Sequence, residues 1–409
     1  MTLNRRQFLG SALPIVALAV DAKSATLPSA ALPDTKPAVL ADNDSLVLLV
    51  GDSLPRTAAA DALRFQTLLE KYPNPADNYL SGGVVAQLET KFSSLLGKED
   101  TVFMPTGTMA NHIAVRLLCG EAKHALAQQE SHMIRDESNC ITSLSGINLV
   151  PLAAGRAAPT LSELSDAINR AEIGPYPIKV GAIALESPVR RAQGGTLPAN
   201  LVADIAKLAR AKGIPMHLDG ARLFMMCGIK GFDLKQYCQN FETVYVSLYK
   251  YFGAPFGAVL SGPKPLMAKA RELRHIFGGT LSHGWQAALP TLDVLDGAIE
   301  RFTEVHAAGE RLLQGLEKIP GFTVQRVADG SNIALLELSP ERQNGWAERL
   351  QKANIRSGKI IDGKLQLNFN ESLLRRDTAY LLAAMAGSTT AKFSGAAVFC
   401  QEVHRCSSK

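Results

Sequence analysis

The chain has 409 residues, of which 46% are hydrophobic and 20% are charged, a balance typical of soluble globular proteins and not of disordered or coiled-coil ones. Its length allows two domains of ordinary size with well-buried cores. The net charge of +5 is spread along the chain without a block of lysine or arginine, which argues against a nucleic-acid partner.

The first 25 residues are predicted to be an export signal. Arg5 and Arg6 stand in N-R-R-Q-F-L-G, an apolar stretch follows from Ala12 to Val20, and small residues between positions 17 and 22 offer cleavage sites. The apolar stretch is too short to persist as a membrane-spanning helix. We therefore predict a twin-arginine signal, a periplasmic location and no permanent membrane anchor; the alternative is a chance Arg-Arg pair before a core helix. Residues 26–47 are predicted to be a linker.

An amphipathic helix is predicted from Gly82 to Leu96, with Val85, Leu88, Phe92 and Leu95 or Leu96 on one face, and Gly97 ends it. A strand, a turn and a second helix follow. The strand is predicted at Thr101–Met104 and the helix at Met109–Leu118, with P-T-G-T between them. Backbone N–H groups and the helix dipole at such a turn suit a phosphate, and Thr106 and Thr108 add hydroxyls. The alternative is that these residues only cap the helix.

Apolar strands then alternate with helices, which predicts a mostly parallel, doubly wound sheet that binds ligands where its strands end. Three strands are predicted at Lys179–Glu186, Ile214–Leu218 and Thr243–Leu248. They end in or just before a charged residue, namely Glu186, Asp219 and Lys250. We expect these side chains to point into one crevice.

Lys250 follows T-V-Y-V-S-L, a run rich in β-branched and aromatic residues. An ammonium at the end of a buried strand is costly unless it is paired or neutralised. Desolvation would lower the pKa of the amine and make it a nucleophile able to form a Schiff base with a carbonyl. The alternative is a surface lysine that caps the strand.

The rest of the chain predicts a smaller α+β domain. A long helical region is expected from Trp285 to Leu316, followed by strands and helices up to Met385. We therefore divide the chain into a large domain at 48–280, a small domain at 281–387 and an unassigned tail at 388–409. The six cysteines show no metal-binding spacing, so no metal is predicted; the first four are expected to be free, and a Cys400–Cys406 disulfide is an alternative for the last two.

Three motifs together resemble the threonine aldolase family. They are P-T-G-T-M-A-N (105–111), H-L-D-G-A-R-L-F (217–224) and S-L-Y-K-Y-F-G-A-P-F-G (247–257). The resemblance runs from about Leu48 to Met385 and implies the β-eliminating lyase group of pyridoxal 5'-phosphate enzymes, with the fold type I, aspartate-aminotransferase architecture. It also implies a homodimer or homotetramer, because this fold builds its sites at a dimer interface, and a small-molecule amino-acid substrate.

Carried over to this chain, the resemblance assigns roles to the cofactor residues. Lys250 would be the Schiff-base lysine, and Asp219 would pair with the pyridinium nitrogen so that the ring can accept electrons. His132 would stack on the ring. Gly107, Thr108 and Ser247 would hold the phosphate.

The substrate residues match the family less well. Arg222 would bind the substrate carboxylate with its planar fork of donors. The segment that reads E-N-T-H in the family is E-S-P-V-R-R here (186–191), so the histidine implicated in retro-aldol proton transfer is missing. Arg190 or Arg191 would bind an acidic substrate group or pair with Glu186, and we favour the ion pair.

Four further positions depart from the family. Y-G-E-D-P becomes Y-L-S-G-G at 79–83, and G-G-G-M-R-Q becomes G-G-T-L-S-H at 278–283, which removes an arginine near the phosphate. Gln366 replaces a second carboxylate-binding arginine, and Tyr249 replaces a small hydroxyl residue. We therefore expect a lyase that cleaves Cα–Cβ of a β-hydroxy amino acid to glycine and an aldehyde; the alternatives are β-elimination or other chemistry on the same cofactor, and a non-catalytic binding protein on the same scaffold.

Overall fold

The computed structural model describes residues 45–173 and 175–387. The predicted export signal, most of the linker, the C-terminal tail and the Cys400–Cys406 pair lie outside the described residues. Within the two described ranges, none of the helices combines the length and the apolar character needed to cross a bilayer. Cys119, Cys140, Cys227 and Cys238 are free thiols, as predicted.

A seven-stranded central sheet carries the candidate site, and two smaller sheets accompany it. The strands of the described residues are β1 (Val47–Leu49), β2 (Asp100–Met104), β3 (His124–Gln128), β4 (Asn148–Leu152), β5 (Val180–Glu186), β6 (Met216–Asp219), β7 (Thr243–Ser247), β8 (Ala258–Gly262), β9 (Phe322–Arg326), β10 (Ile333–Leu338), β11 (Ile355–Ser357) and β12 (Lys364–Asn368).

The central sheet has the strand order β2-β8-β7-β6-β5-β3-β4. The five strands from β7 to β4 run parallel, and β8 runs antiparallel to both β7 and β2. This confirms the predicted mostly parallel sheet. The other two sheets are β12-β10-β9 and the parallel pair β1-β11.

Helices surround these sheets. The α-helices are α1 (Ala58–Lys71), α2 (Gly83–Leu96), α3 (Gly107–Cys119), α4 (His132–Arg135), α5 (Cys140–Ser145), α6 (Leu161–Glu172), α7 (Ala199–Ala211), α8 (Leu234–Cys238), α9 (Lys264–Ile276), α10 (Trp285–Leu295), α11 (Ala298–Leu316), α12 (Pro340–Gln343), α13 (Trp346–Lys352) and α14 (Thr378–Ala386). Short 3₁₀ turns occupy Arg190–Ala192, Leu223–Met226 and Glu371–Arg375.

Local sequence explains the ends of the helices that matter most. The hydroxyl of Thr106 accepts a hydrogen bond from the Met109 N–H at 3.1 Å, so α3 begins at Gly107, two residues before its predicted start. Gly97 ends α2 in the left-handed conformation, and Val85, Leu88, Phe92 and Leu96 of that helix are buried, as its periodicity predicted.

Some predicted elements need correction. The long helical region breaks between Leu295 and Ala298, where Gly297 adopts a left-handed φ of 72°. β1 begins at Val47, the last residue of the predicted linker, and pairs with β11. The elements that were not predicted include the α1 and α9 helices and the β3, β9 and β11 strands; the three strands have only five, five and three residues, too few to show a clear period.

Two large groups of buried apolar side chains hold the described chain together. One packs around the central sheet, and the other joins Val47 and Leu49 of β1 to α11, α14 and the β9–β12 strands. The N-terminal strand therefore packs with C-terminal elements, although the proposed domain boundaries stay a prediction.

Candidate active site

Three neighbouring strands bring charged side chains to one edge of the central sheet. Glu186 and Asp219 are register partners at the ends of β5 and β6, and Lys250 follows the end of β7 by three residues. The charges of Asp219 and Glu186 both act on the Lys250 amine. The structure thus brings together the three residues that the strand pattern predicted, at the edge where doubly wound folds bind ligands.

Lys250 lies in an environment that favours its uncharged form. Burial, and then the charge of Arg222, lower the pKa of Lys250 to about 8, although Asp219, Asp52 and Glu186 act in the opposite direction. A larger fraction of the amine is therefore uncharged near neutral pH than at an ordinary lysine. This is the property expected of a nucleophilic lysine.

Asp219 is fixed by hydrogen bonds deep in the site. The carboxylate is buried, and it accepts hydrogen bonds from Asn111 Nδ2 at 2.8 Å and from the Ala221 N–H at 3.1 Å. Asn111 lies on α3 and also donates to Glu137 Oε1 at 2.8 Å. The Asn111 amide therefore bridges two buried carboxylates.

His217 completes the support of Asn111. Its Nε2 lies 3.0 Å from Asn111 Oδ1, and its Nδ1 lies 2.8 Å from the Thr243 hydroxyl. Burial lowers the pKa of His217 to about 4, so the ring is neutral at physiological pH. Because the amide oxygen only accepts, we assign the proton to Nε2 and a donating hydroxyl to Thr243.

His132 contacts Glu137 at the partly exposed end of the same hydrogen-bond network. Its Nδ1 lies 2.9 Å from Glu137 Oε1, and this contact raises the pKa of His132. The side chain remains 33% exposed, so part of the ring is open to a ligand. Single atoms of His132, Glu137 and Asp219 lie within 4.8 Å of one another, and their hydrogen bonds to each other and to Asn111 account for this grouping.

Glu186 fixes the backbone around the site. It accepts hydrogen bonds from the His132 N–H at 2.6 Å and from the Arg190 N–H at 3.2 Å. Burial, and then the charge of Asp219, raise the pKa of Glu186 to about 7. Glu186 thus ties together the two loops that carry His132 and Arg190.

The predicted phosphate site contains free donors. As in any α-helix, the first N–H groups of α3, at Gly107 and Thr108, have no partner within the helix. Ser247 Oγ at the end of β7 is buried and has no hydrogen-bond partner of good geometry among the described residues. A Cβ added at Gly107 would lie 2.0 Å from the Tyr245 hydroxyl, so only glycine fits there. Thr106, by contrast, is used as the helix cap.

Arg222 is already paired with a carboxylate from the N-terminal segment. Its Nε donates to Asp52 Oδ1 at 2.8 Å and its Nη2 donates to Asp52 Oδ2 at 2.9 Å. Burial alone would lower the pKa of Arg222, but the contacts with Asp52 outweigh it and raise the pKa. Sequence reasoning did not identify Asp52, since nothing near that residue in the chain indicates its partner.

The expected pairing of Arg190 or Arg191 with Glu186 is wrong. Arg191 instead forms a two-pronged ion pair with Asp136, with Nε–Oδ2 at 2.9 Å, because Glu186 is buried and occupied by backbone N–H groups. The exposed Arg190 side chain forms no hydrogen bond or ion pair with residues that the structure describes. Arg190 is therefore the better placed of the two for an acidic ligand group.

The departures from the threonine aldolase pattern have clear structural settings. Val189, which stands where that family has its histidine, is fully buried. Tyr249 is 46% exposed, and the Lys250 amine lies 5.8 Å from the centre of its ring. Gln366 donates to Asn368 Oδ1 at 2.9 Å and brings no charge.

Two supporting residues, and one buried hydroxyl in an altered segment, were not assigned a role from the sequence. Asn111 belongs to the P-T-G-T-M-A-N motif, and its position four residues after Gly107, on the same helix, is a signal that was overlooked. Glu137 lies five residues after His132 in a loop without periodicity. The Thr280 hydroxyl is buried without a partner in the described part of the chain and lies in the altered G-G-T-L-S-H segment.

Comparison with known proteins agrees with this geometry. Residues 76–339 match the family model described as beta-eliminating lyase. The chain is 25% identical over 304 residues to low-specificity L-threonine aldolase 1 of Arabidopsis thaliana, covering 73% of this chain and 84% of the relative. It is 31% identical over 206 residues to an alanine racemase of Cochliobolus carbonum, covering 49% of this chain and 51% of the relative.

A solved structure from Exiguobacterium sp. 255-15, described as an aromatic amino acid beta-eliminating lyase/threonine aldolase, superposes with a TM-score of 0.71. The superposition covers 84% of this chain and 96% of the other, at 23% identity. At this identity the similarity shows the shared fold, which is the α/β fold expected from the sequence.

Proposed function

Since this chain belongs to the beta-eliminating lyase family, we propose that it cleaves the Cα–Cβ bond of a β-hydroxy amino acid, as a pyridoxal 5'-phosphate-dependent lyase. The products are glycine and an aldehyde. The observation that carries the proposal is the group formed at the strand ends by the half-buried Lys250 and the buried Asp219 and Glu186, with Asn111 and Glu137 supporting it.

The residues present fit pyridoxal phosphate. The free N–H groups of Gly107 and Thr108 and the unpartnered hydroxyl of Ser247 suit the phosphate, and the exposed part of the His132 ring suits an aromatic face. Asp219 offers a carboxylate to a ring nitrogen, and Lys250 offers an amine to an aldehyde. When bound, the cofactor supplies a conjugated ring that withdraws electrons from the substrate Cα.

The side chains of the site then have separate tasks. Asn111 holds the Asp219 carboxylate in one orientation, and Glu137 holds His132. Lys250, with a pKa of about 8, can accept or release a proton near neutral pH. Arg222 supplies a positive charge for the substrate carboxylate.

A second candidate reaction is β-elimination on the same cofactor. It is favoured by the buried Val189 at the position where threonine aldolases have their proton-transfer histidine. Loss of a β-substituent yields a 2-oxo acid and ammonia, so that the products of the two reactions differ.

We also propose that the chain is exported by its twin-arginine segment to the periplasm and works as a homodimer or homotetramer. Arg5 and Arg6 before an apolar stretch support export. The homo-oligomer is supported by the family resemblance, because this fold builds its sites at a dimer interface.

The test is to purify the protein, record its visible absorption and assay β-hydroxy amino acids. We expect a cofactor band, glycine and aldehyde. Lys250→Ala should change the band and abolish turnover, whereas Lys264→Ala, at an exposed lysine, should do neither. Formation of a 2-oxo acid and ammonia would favour β-elimination. Absence of the band, together with an unchanged Lys250→Ala spectrum, would refute the assignment of pyridoxal phosphate as the cofactor.

A further inference from the structure

Asp52 reaches the site from a segment that is firmly anchored elsewhere. β1 pairs with β11, the Leu48 N–H donates to Ser372 Oγ at 2.8 Å, and Asn370 Nδ2 donates to the Leu48 carbonyl at 3.0 Å. Gly51 then turns the chain with a left-handed φ of 76°. The position of Asp52 is therefore set by the backbone before it, independently of Arg222.

The contact between Asp52 and Arg222 uses one particular edge of the guanidinium. Asp52 binds the Nε and Nη2 edge with both oxygens, which fixes the plane of the group. The third nitrogen, Nη1, donates to no residue in the described ranges 45–173 and 175–387. Two of the five guanidinium N–H bonds are thus taken, and the Nη1 side is left for a ligand.

The pair is largely shielded from water. The Arg222 and Asp52 side chains are 12% and 20% exposed, so water and salt screen the attraction between them less than in a surface ion pair. Arg222 also acts on Lys250, whose pKa it lowers, while Asp52 raises that pKa. Asp52 therefore offsets a positive charge that would otherwise act fully on the reactive amine.

We propose that Asp52 is a positioning residue, which holds Arg222 so that the free end of its guanidinium, at Nη1, meets the α-carboxylate of the substrate. The inference rests on the proposed function, because that function makes Arg222 a substrate residue. The chain has Gln366 where the family has a second carboxylate-binding arginine, so recognition of the carboxylate depends on the orientation of this single guanidinium.

The experiment measures binding rather than turnover. Glycine and glycinamide are titrated calorimetrically into the cofactor-loaded protein, because glycinamide keeps the amine and lacks the carboxylate. Asp52→Asn should weaken glycine binding at least tenfold and change glycinamide binding less than twofold. Asp61→Asn is the matched control, since that carboxylate pairs with Arg56 at 2.8 Å, and it should change neither.

Asp52→Glu keeps the charge and should lose less affinity for glycine than Asp52→Asn. Thermal unfolding shows whether each variant is folded. If Asp52→Asn does not fold, the test uses Asp52→Glu, whose carboxylate is displaced by one methylene. This variant should still weaken the binding of glycine more than the binding of glycinamide. Unchanged or tighter glycine binding by the Asp52 variants would overturn the proposal. Tighter binding would show that Asp52 competes with the substrate carboxylate for Arg222. If the wild-type protein binds glycine no better than glycinamide, Arg222 does not bind the substrate carboxylate at all.

Discussion

Replacement of Asn111 tests whether one amide organises the site. Asn111→Ala removes the hydrogen bonds to Glu137, Asp219 and His217 at once. Two of them end on carboxylates, at about 1.5–3 kcal/mol each, and the third joins neutral groups, at about 1 kcal/mol. Water that enters the vacated space offsets part of the loss, so we expect the free energy of unfolding to fall by about 4 kcal/mol.

Urea denaturation of the cofactor-free protein measures this change. The control is Asn240→Ala, because Asn240 is half-buried at the surface and, among the described residues, its amide donates only to the Gln236 and Tyr237 carbonyls at 3.2 and 3.3 Å. A surface change of this kind should stay within about 0.5 kcal/mol. A loss below about 1 kcal/mol in Asn111→Ala would refute the view that the amide bridges two buried carboxylates.

Asn111→Asp should make the loss of stability depend on pH in a defined direction. It keeps the acceptor for His217 but places a third carboxyl between Glu137 and Asp219, which raises its pKa in the folded state above the unfolded value of about 4. The destabilisation from this group is therefore full above the folded pKa and disappears as the pH falls below about 4. A destabilisation that does not shrink on acidification would contradict this reasoning.

Two further predictions concern the charged side chains around the site. The rate at which cofactor-free protein takes up pyridoxal phosphate should rise with pH, with a midpoint near the Lys250 pKa of about 8, because only the uncharged amine is nucleophilic. Arg222→Gln should move this midpoint to higher pH, because the charge of Arg222 lowers the Lys250 pKa. Stopped-flow absorbance measures both midpoints, and an unshifted midpoint would show that Arg222 does not act on the amine. Arg190→Ala should raise KM for a β-hydroxy amino acid with an acidic side chain at least fivefold and leave KM for threonine unchanged. Arg191→Ala is the control: it only frees Asp136 and should change neither KM. Equal effects of the two variants on KM in steady-state assays would show that Arg190 does not bind the acidic side chain.

Much of the fold follows from local patterns in the sequence. The apolar strands that end at Glu186, Asp219 and Ser247 were predicted to within one or two residues, because a buried parallel strand is a continuous apolar run. Short strands without such a run, β3, β9 and β11, were missed. The break at Gly297 was also missed, since apolar residues continue on both sides of it.

The sequence by itself determined which residues stand at the strand ends and which turn precedes α3, because both depend on neighbours within a few positions in the chain. Only the tertiary structure decided the partners. Asp52 and Arg222 are 170 residues apart and Asn111 and Asp219 are 108 apart, and their contacts exist because packing places distant backbone segments side by side. Arg191 pairs with Asp136 for the same reason: ion pairs form with the carboxylate that the fold leaves accessible, and Glu186 is buried and occupied.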